Sequence, residues 1–182
     1  MKQIIWGLSV LWLSGCATMS IEECQTANWQ RIGEQDGVRG QGSVLAQHYK
    51  ACQKGNIVPN QAQYEAGYQR GLAQYCQVEQ VFHAALEGRG NYQHCPIARH
   101  SQLRPFYQTA DRYYQSKKQL DALEQRLLDV RDYLRNPKLS DKDRRYYQRE
   151  YDRVRADLPA AHRDYYEAEQ TLRDFKYRHN LY

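Results

Sequence analysis

The sequence predicts an all-α protein: a small disulfide-stapled helical domain followed by a long antiparallel helical hairpin of coiled-coil type. Three observations carry this prediction. Two runs of apolar residues at alternating steps of three and four fill the C-terminal half, broken once by Asn136-Pro137-Lys138-Leu139. Glycines in the preceding half recur at helical intervals. Four cysteines, an even number, fall between Cys24 and Cys95.

Taken in order, the chain opens with Met1-Lys2 and an apolar run from Ile4 to Leu13. A permanent transmembrane helix needs about 20 apolar residues. The run is shorter and suits the hydrophobic region of a secretory signal. Leu13-Ser14-Gly15-Cys16 then resembles the lipobox of bacterial lipoproteins. That resemblance implies that residues 1–15 are a signal peptide and that Cys16 becomes the lipidated first residue, acylated on sulfur and on its new amine. Several acyl chains give stable anchoring where one gives only marginal binding. The competing reading is an ordinary cleaved signal with an unrelated cysteine. Ala17, where an Asp would signal inner-membrane retention, implies the outer membrane, facing the periplasm. The expected partners are therefore the membrane, through the lipid, and another envelope protein.

Charge does not point to nucleic acid. Residues 17–100 carry seven basic and seven acidic side chains, and residues 101–182 carry 18 and 14. Interspersed charges of both signs read as solvated helix faces, whereas a nucleic-acid footprint is a patch of one sign. The 16 tyrosines beside three phenylalanines suit thin helical assemblies, because tyrosine buries its ring while its hydroxyl stays wet.

Residues 16–100 form the expected cysteine-containing helical domain. In an oxidising compartment Cys24, Cys52, Cys76 and Cys95 read as disulfides, and four cysteines allow three pairings. Ile21 to Val38 and Ser43 to Gln53 both look helical, with Arg39-Gly40-Gln41-Gly42 between them. An antiparallel pair would bring Cys24 beside Cys52, which leaves Cys76 for Cys95. A zinc site using these cysteines with His48, His83 or His94 is the rival, but no CxxC or HxxxH spacing supports it. Trp29-x3-Gly33-x3-Gly37 and Tyr64-x2-Gly67-x3-Gly71 place glycines inside helices, where each costs about 1 kcal/mol relative to alanine. The expected reason is close backbone approach between packed helices, with Trp29 and Tyr64 filling the adjoining space. The two pairs lie 34 residues apart, a hint of a degenerate repeat that the cysteines do not follow. The GxxxG spacing occurs in membrane helices, but Glu34, Asp36, Arg39 and Arg70 make these segments too polar to insert. Gly88-Arg89-Gly90-Asn91 reads as a loop.

Cys24, Trp29-x3-Gly33-x2-Asp36-Gly37-x2-Gly40, Cys52, Tyr64-x2-Gly67-Tyr68-x2-Gly71-Leu72-x2-Tyr75-Cys76 and Gly88-x-Gly90-x-Tyr92-x2-Cys95-Pro96 together resemble an uncharacterised family of proteobacterial lipoproteins, which carries a domain-of-unknown-function label. The resemblance covers roughly residues 20–98. It implies an envelope lipoprotein with paired cysteines and brings no activity with it.

Residues 101–182 hold the predicted hairpin. One seam runs Phe106, Thr109, Tyr113, Ser116, Leu120, Leu123, Leu127, Val130, Leu134; the other runs Tyr147, Tyr151, Val154, Leu158, Ala161, Tyr165, Ala168, Leu172, Phe175. Pro137 stops the first helix, and Ser140 with Asp143 restarts the second. A loop this short makes the helices antiparallel. Folding about it pairs Leu127 with Val154, Leu120 with Ala161, Tyr113 with Ala168 and Phe106 with Phe175. Large often meets small, as interdigitated packing needs. Each arm should reach roughly 45 to 50 Å, and Pro159 should kink the second helix. The outward tyrosines Tyr114, Tyr146 and Tyr166, with Arg112, Arg145, Arg149 and Arg163, form a candidate interaction face.

Chemistry is sparse. His48, His83, His94 and His100 are candidate bases and Glu34 and Asp36 candidate acids, but none sits in a nucleophile-elbow, HExxH or phosphate-loop context. Asp36 reads as helix surface. The expectation is a non-enzymatic protein with no cofactor and no bound metal. The alternative function is a binding module for an envelope polymer or small ligand at the Trp29/Tyr64 glycine-lined region.

Overall fold

The computed structural model describes residues 19–181; the proposed signal segment and Cys16 lie outside the described residues. Seven α-helices follow in chain order: α1 (Ile21–Gln25), α2 (Trp29–Val38), α3 (Leu45–Cys52), α4 (Gln61–Tyr75), α5 (Val78–Leu86), α6 (Ile97–Arg135) and α7 (Asp141–His179). There is no strand among the described residues. Side-chain caps start four of the helices. Ser20 and Glu23 form a reciprocal capping box on α1, Asn28 caps α2, Asn60 caps α4 and Ser140 caps α7. The expected single helix from Ile21 to Val38 is therefore two, because Thr26 ends α1 and the Asn28 side chain accepts from the Arg31 amide to begin α2.

The body is organised by α2 and α4, which cross with their backbones in contact. A Cβ on Gly33 would overlap the Tyr64 carbonyl, one on Gly37 the Tyr68 carbonyl, one on Gly67 the Gln30 carbonyl, and one on Gly71 the Glu34 carbonyl. The pattern is reciprocal: each glycine faces the carbonyl three residues before a glycine of the other helix. The contacts advance together along both chains, so the helices cross in the parallel sense. The 34-residue offset of the glycine pairs thus corresponds to a local two-fold likeness across one contact. Trp29, Tyr64, Tyr68 and Leu72 are buried around it.

Two disulfides pin this layer. Cys24 joins Cys52 with 5.6 Å between Cα atoms, and Cys76 joins Cys95 with 5.7 Å. The first ties α1 to α3; α2 itself packs on α4, not antiparallel to α3. Each closed loop contributes a few kcal/mol through the unfolded chain, about 3 for a loop of 15 residues.

All eighteen predicted seam positions of the hairpin are buried or half-buried. Phe106 meets Phe175 edge-on at 5.1 Å between ring centroids, as the register pairs them, and near the tip Tyr133, one residue before the seam, stacks on Tyr147 at 4.7 Å. α6 differs from the reading in where it begins. It starts at Ile97, and Leu103 and Ala110, each one residue past the seam, are fully buried. They face the body: Leu103 enters the core around Tyr64, and Ala110 joins Phe82, Ala85, Leu172 and Phe175. Helix α5 therefore wedges against both arms, with Phe82 stacked on Phe175 at 6.2 Å.

Body contacts continue along α6 to Tyr114, whose ring covers Gly88 in the turn after α5. Gly88 has φ +68°, a conformation that suits a residue without Cβ, and the missing side chain is also the seat of the ring. Beyond Tyr114, 21 residues remain to Arg135. At 1.5 Å per residue each 39-residue helix is roughly 58 Å long, somewhat more than the expected 45 to 50 Å, and the part of α6 beyond Tyr114 is roughly 30 Å. Both helices run through a proline, Pro105 in α6 and Pro159 in α7. Both prolines are exposed, so the carbonyls they leave unpaired can be hydrated.

The glycine contact makes a specific demand. Gly67→Ala gains about 1 kcal/mol of helix propensity, yet its Cβ overlaps backbone, and we expect net destabilisation of about 3 kcal/mol. Urea unfolding followed by circular dichroism measures it, with the exposed Gln69→Ala as control. Stability equal to the parent's would show that the helices are free to part.

Candidate functional site

The sequence singled out two regions, the Trp29/Tyr64 glycine-lined region and the tyrosine-arginine face of the hairpin. In the first, the α2–α4 crossing creates a buried carboxylate. Asp36 follows Gly33 by three residues and precedes Gly37 by one, which puts it on the face that meets α4. It is 7% exposed. Its Oδ2 accepts from the Tyr64 hydroxyl of α4 at 2.9 Å and lies 2.9 Å from His48 Nε2 of α3, while Oδ1 pairs with Arg39 at 3.3 Å. The expected surface position for Asp36 is thus corrected. A side chain that shares the glycine face of α2 is covered by α4 and the segment that packs beside it.

The groups that touch Asp36 make further contacts of their own. The Tyr64 hydroxyl also accepts from the Val44 amide at 3.3 Å, and Tyr68 donates to the Gln41 carbonyl at 2.6 Å. Trp29 and Tyr64 flank the His48 ring edge-on, at 6.0 and 5.7 Å. Burial pushes the Tyr64 phenol up to about 12, and the Asp36 carboxylate adds to the shift. Burial likewise raises Tyr68, Tyr75 and Tyr107. The buried Tyr75 hydroxyl has no hydrogen-bond partner among the described residues.

Chemically, this is a knot of one carboxylate, one imidazole and one phenol tying three helices together. Asp36 and His48, which the sequence offered separately as acid and base, do meet. Yet the third position is a phenol donating into the same carboxylate rather than a nucleophile held by the base. The glycine faces are occupied by opposing backbone, and Trp29 and Tyr64 are buried, so this contact is filled by the protein itself. The other histidines stand apart from it. His83 packs on Phe82, His94 lies near Gly42, and His100 is 2.8 Å from the Cys95 carbonyl. Glu34 lies at the outer edge of the crossing, accepting from Arg70 and Gln74. No group of three His, Cys, Asp or Glu among the described residues could hold a metal ion. A shallow groove at Val38, Gln74, Val78, Arg99 and Gln102 runs between α4, α5 and the start of α6.

The hairpin face divides. Tyr114 is half-buried over Gly88 with the Lys118 ammonium 5.9 Å from its ring centroid, so it belongs to the joint with the body, whereas the exposed Arg112 lies on the α7 side, beside Ser116, Ala168 and Thr171. Tyr146 and Tyr166 are 51% and 61% exposed. They are twenty residues apart, a rotation of roughly 200°, and lie on opposite flanks of the seam. Tyr166 contacts His162 and Tyr165 near Arg163. Tyr146 meets Tyr147 edge-on at 5.2 Å near the tip, and Tyr147 carries the stacked Tyr133 on its other side. Tyr133 was not singled out by the sequence, although it precedes the seam residue Leu134 as Tyr146 precedes Tyr147. Glu150, one turn along, is clasped by Arg153 at 2.7 Å and Arg126 at 3.2 Å, which hold its carboxyl below the ordinary range. Arg145 and Arg149 make no ion pair among the described residues.

Residues 28–112 match a family described as a protein of unknown function (DUF2799). The matched span runs from the cap of α2 to the part of α6 that leaves the body, so it takes in the crossing, the carboxylate knot and the α5 wedge. No curated protein and no solved structure matches the chain.

Two measurements test the knot. Asp36→Asn removes the negative charge that three donors share, and its unfolding free energy should fall by about 1–3 kcal/mol. Loss below the range of an ordinary surface substitution would deny the carboxylate its tying role. Because the folded Tyr64 phenol titrates near 12 instead of 10, its contribution is intact below pH 10 and is lost as pH rises toward 12. Stability should decline over that window, and the decline should be shallower in Tyr64→Phe.

Proposed function

We propose that the chain is a lipid-anchored lipoprotein of the outer membrane that works by binding a protein partner in the envelope through its hairpin, without catalysis of its own. The observation that carries this reading is a division of labour between the two halves. The aromatic and polar groups of the α2–α4 crossing, Trp29, Asp36, His48, Tyr64 and Tyr68, are consumed by the body's own packing, whereas the arm beyond Tyr114 presents tyrosines that are about half exposed or more, with unpaired arginines beside them. Protein interfaces draw their binding energy from those residue types.

The anchor is supported by the lipobox-like Leu13-Ser14-Gly15-Cys16 and by the two disulfides, which fit an oxidising compartment. Eight residues lead from Cys16 to Cys24. At about 3.5 Å per residue the body would lie within roughly 28 Å of its lipid. The arm is then the part able to reach away from the bilayer.

Cys16→Ser should move the protein from the membrane to the soluble fraction without changing its helicity, as read by fractionation and circular dichroism. Continued sedimentation with membranes after a salt wash would mean that something other than a lipid holds it. Chemical crosslinking of the anchored protein in intact envelopes should join a protein partner to residues 115–165. Crosslinks confined to the body would remove the arm from its role.

A further inference from the structure

We infer that one flank of the hairpin tip, centred on Tyr133, Tyr146 and Tyr147, is the docking surface, and that it fits an acidic patch on a folded protein partner. This rests on the reading of the hairpin as the binding element and specifies where the partner sits and what it presents.

Three physical features converge there. The tyrosines come from both arms and are fixed by one another: Tyr133 stacks on Tyr147 with 12° between ring planes, and Tyr146 stands edge-on to the same ring. Tyr147 is a half-buried seam residue, so the exposed pair is mounted on the hairpin's own packing. Tyr133 and Tyr146 nevertheless keep 49% and 51% of their surface in water. Ordering long side chains costs about 0.5–1.5 kcal/mol each on binding, and rings already held in place avoid most of that cost.

The second feature is charge. Residues 126–153 carry nine basic and six acidic side chains. Of the acids one turn from Tyr146 and Tyr147 on the same helix, Glu150 is already taken by Arg126 and Arg153, while Asp143 is engaged only by its cap, Ser140. Arg145, beside Tyr146, and Arg149, one turn from it, are left without an ion pair among the described residues, so against the single Asp143 the charge around Tyr146 is net positive.

The third feature separates a protein from a polyanion. Asp129, Asp132 and Asp152 are interspersed among the arginines. A lipid headgroup layer or an anionic polysaccharide is best met by an unbroken basic field, whereas a protein surface offers matching charges of both signs around an apolar centre. Tyrosine and arginine are the residues enriched at the centres of such interfaces.

The test places a photoreactive benzoylphenylalanine at Tyr146 in the full lipid-anchored chain in intact cells, with Tyr166 and Val58 as control positions. The expected result is a discrete protein adduct from Tyr146, at least fivefold stronger than from either control, whose crosslinked peptide lies among clustered Asp and Glu. Arg149→Glu should weaken that adduct at least fivefold, and Arg149→Lys should preserve most of it, each variant keeping the parent's helicity. Arg149→Gln is a milder second variant and should give an intermediate yield. An adduct to a second copy of this chain, to lipid or to polysaccharide overturns the inference. So does a yield insensitive to Arg149→Glu, or a partner peptide without acidic neighbours. Strong protein adducts from Tyr166 alone would remove the tip assignment while leaving the hairpin as the binding arm. No protein adduct from any arm position would remove both.

Discussion

The body depends on the backbone-to-backbone contact of α2 and α4. Four glycines remove the four Cβ atoms that would otherwise hold the helix axes apart, and each glycine then sits against a carbonyl of the other helix. Glycine in a helix costs about 1 kcal/mol per position, so the contact is favourable only because of what closes around it. Trp29, Tyr64, Tyr68 and Leu72 leave water there, and full burial of a large apolar side chain contributes about 1.5–3 kcal/mol. Weak Cα–H to carbonyl contacts add about half a kcal/mol each.

That closeness explains the chemistry of the body. Once α2 lies against α4, the Asp36 side chain cannot reach bulk water, and an unpaired buried carboxylate would be costly. Tyr64, His48 and Arg39 supply the compensating donors. Because the donors come from α4, α3 and the end of α2, neutralising one charge also fixes where α3 runs and where the Gln41–Val44 connection lies. The disulfide from Cys52 back to Cys24 closes the same layer from its other side. An Asp–His contact that resembles half of a catalytic machine is here the consequence of a packing constraint.

How much of this was legible in the sequence follows the range of the forces involved. The hairpin was legible in detail because a heptad seam is a local periodic signal: Phe106 opposite Phe175 follows from counting alone. The glycine contact was legible as a need for close approach, since only that need offsets the lost helix propensity. The break between α1 and α2 was not, because Asn28 is one capping side chain among many polar residues. Asp36 was misread for a different reason. Whether an Asp on a glycine face is wet or buried depends on which helix covers it, and neither Tyr64 nor His48 is near it in sequence. Its place between Gly33 and Gly37, on the same helical face, was the available signal. Leu103, Ala110 and Tyr114 were likewise invisible as contacts of the body, since the seam they flank is satisfied without them.

Those three residues change what kind of object the arm is. A hairpin joined to the body only by the end of a helix would swing, and an exposed tyrosine at its tip would sweep a large volume. Here α5 lies against both arms, Phe82 reaches Phe175 across them, and Tyr114 is seated on Gly88. The hairpin base and α5 form one packed cluster, which Tyr107 joins to the disulfide-stapled core of the body. Under the proposed anchoring at Cys16, a short tether would limit how far the body moves from the lipid, while the packed base limits how far the arm turns relative to the body. The roughly 30 Å of free arm then sets how far from the body the tyrosines of the proposed docking surface would sit. Rigidity at the joint, more than arm length, would decide which surfaces in the envelope they can meet.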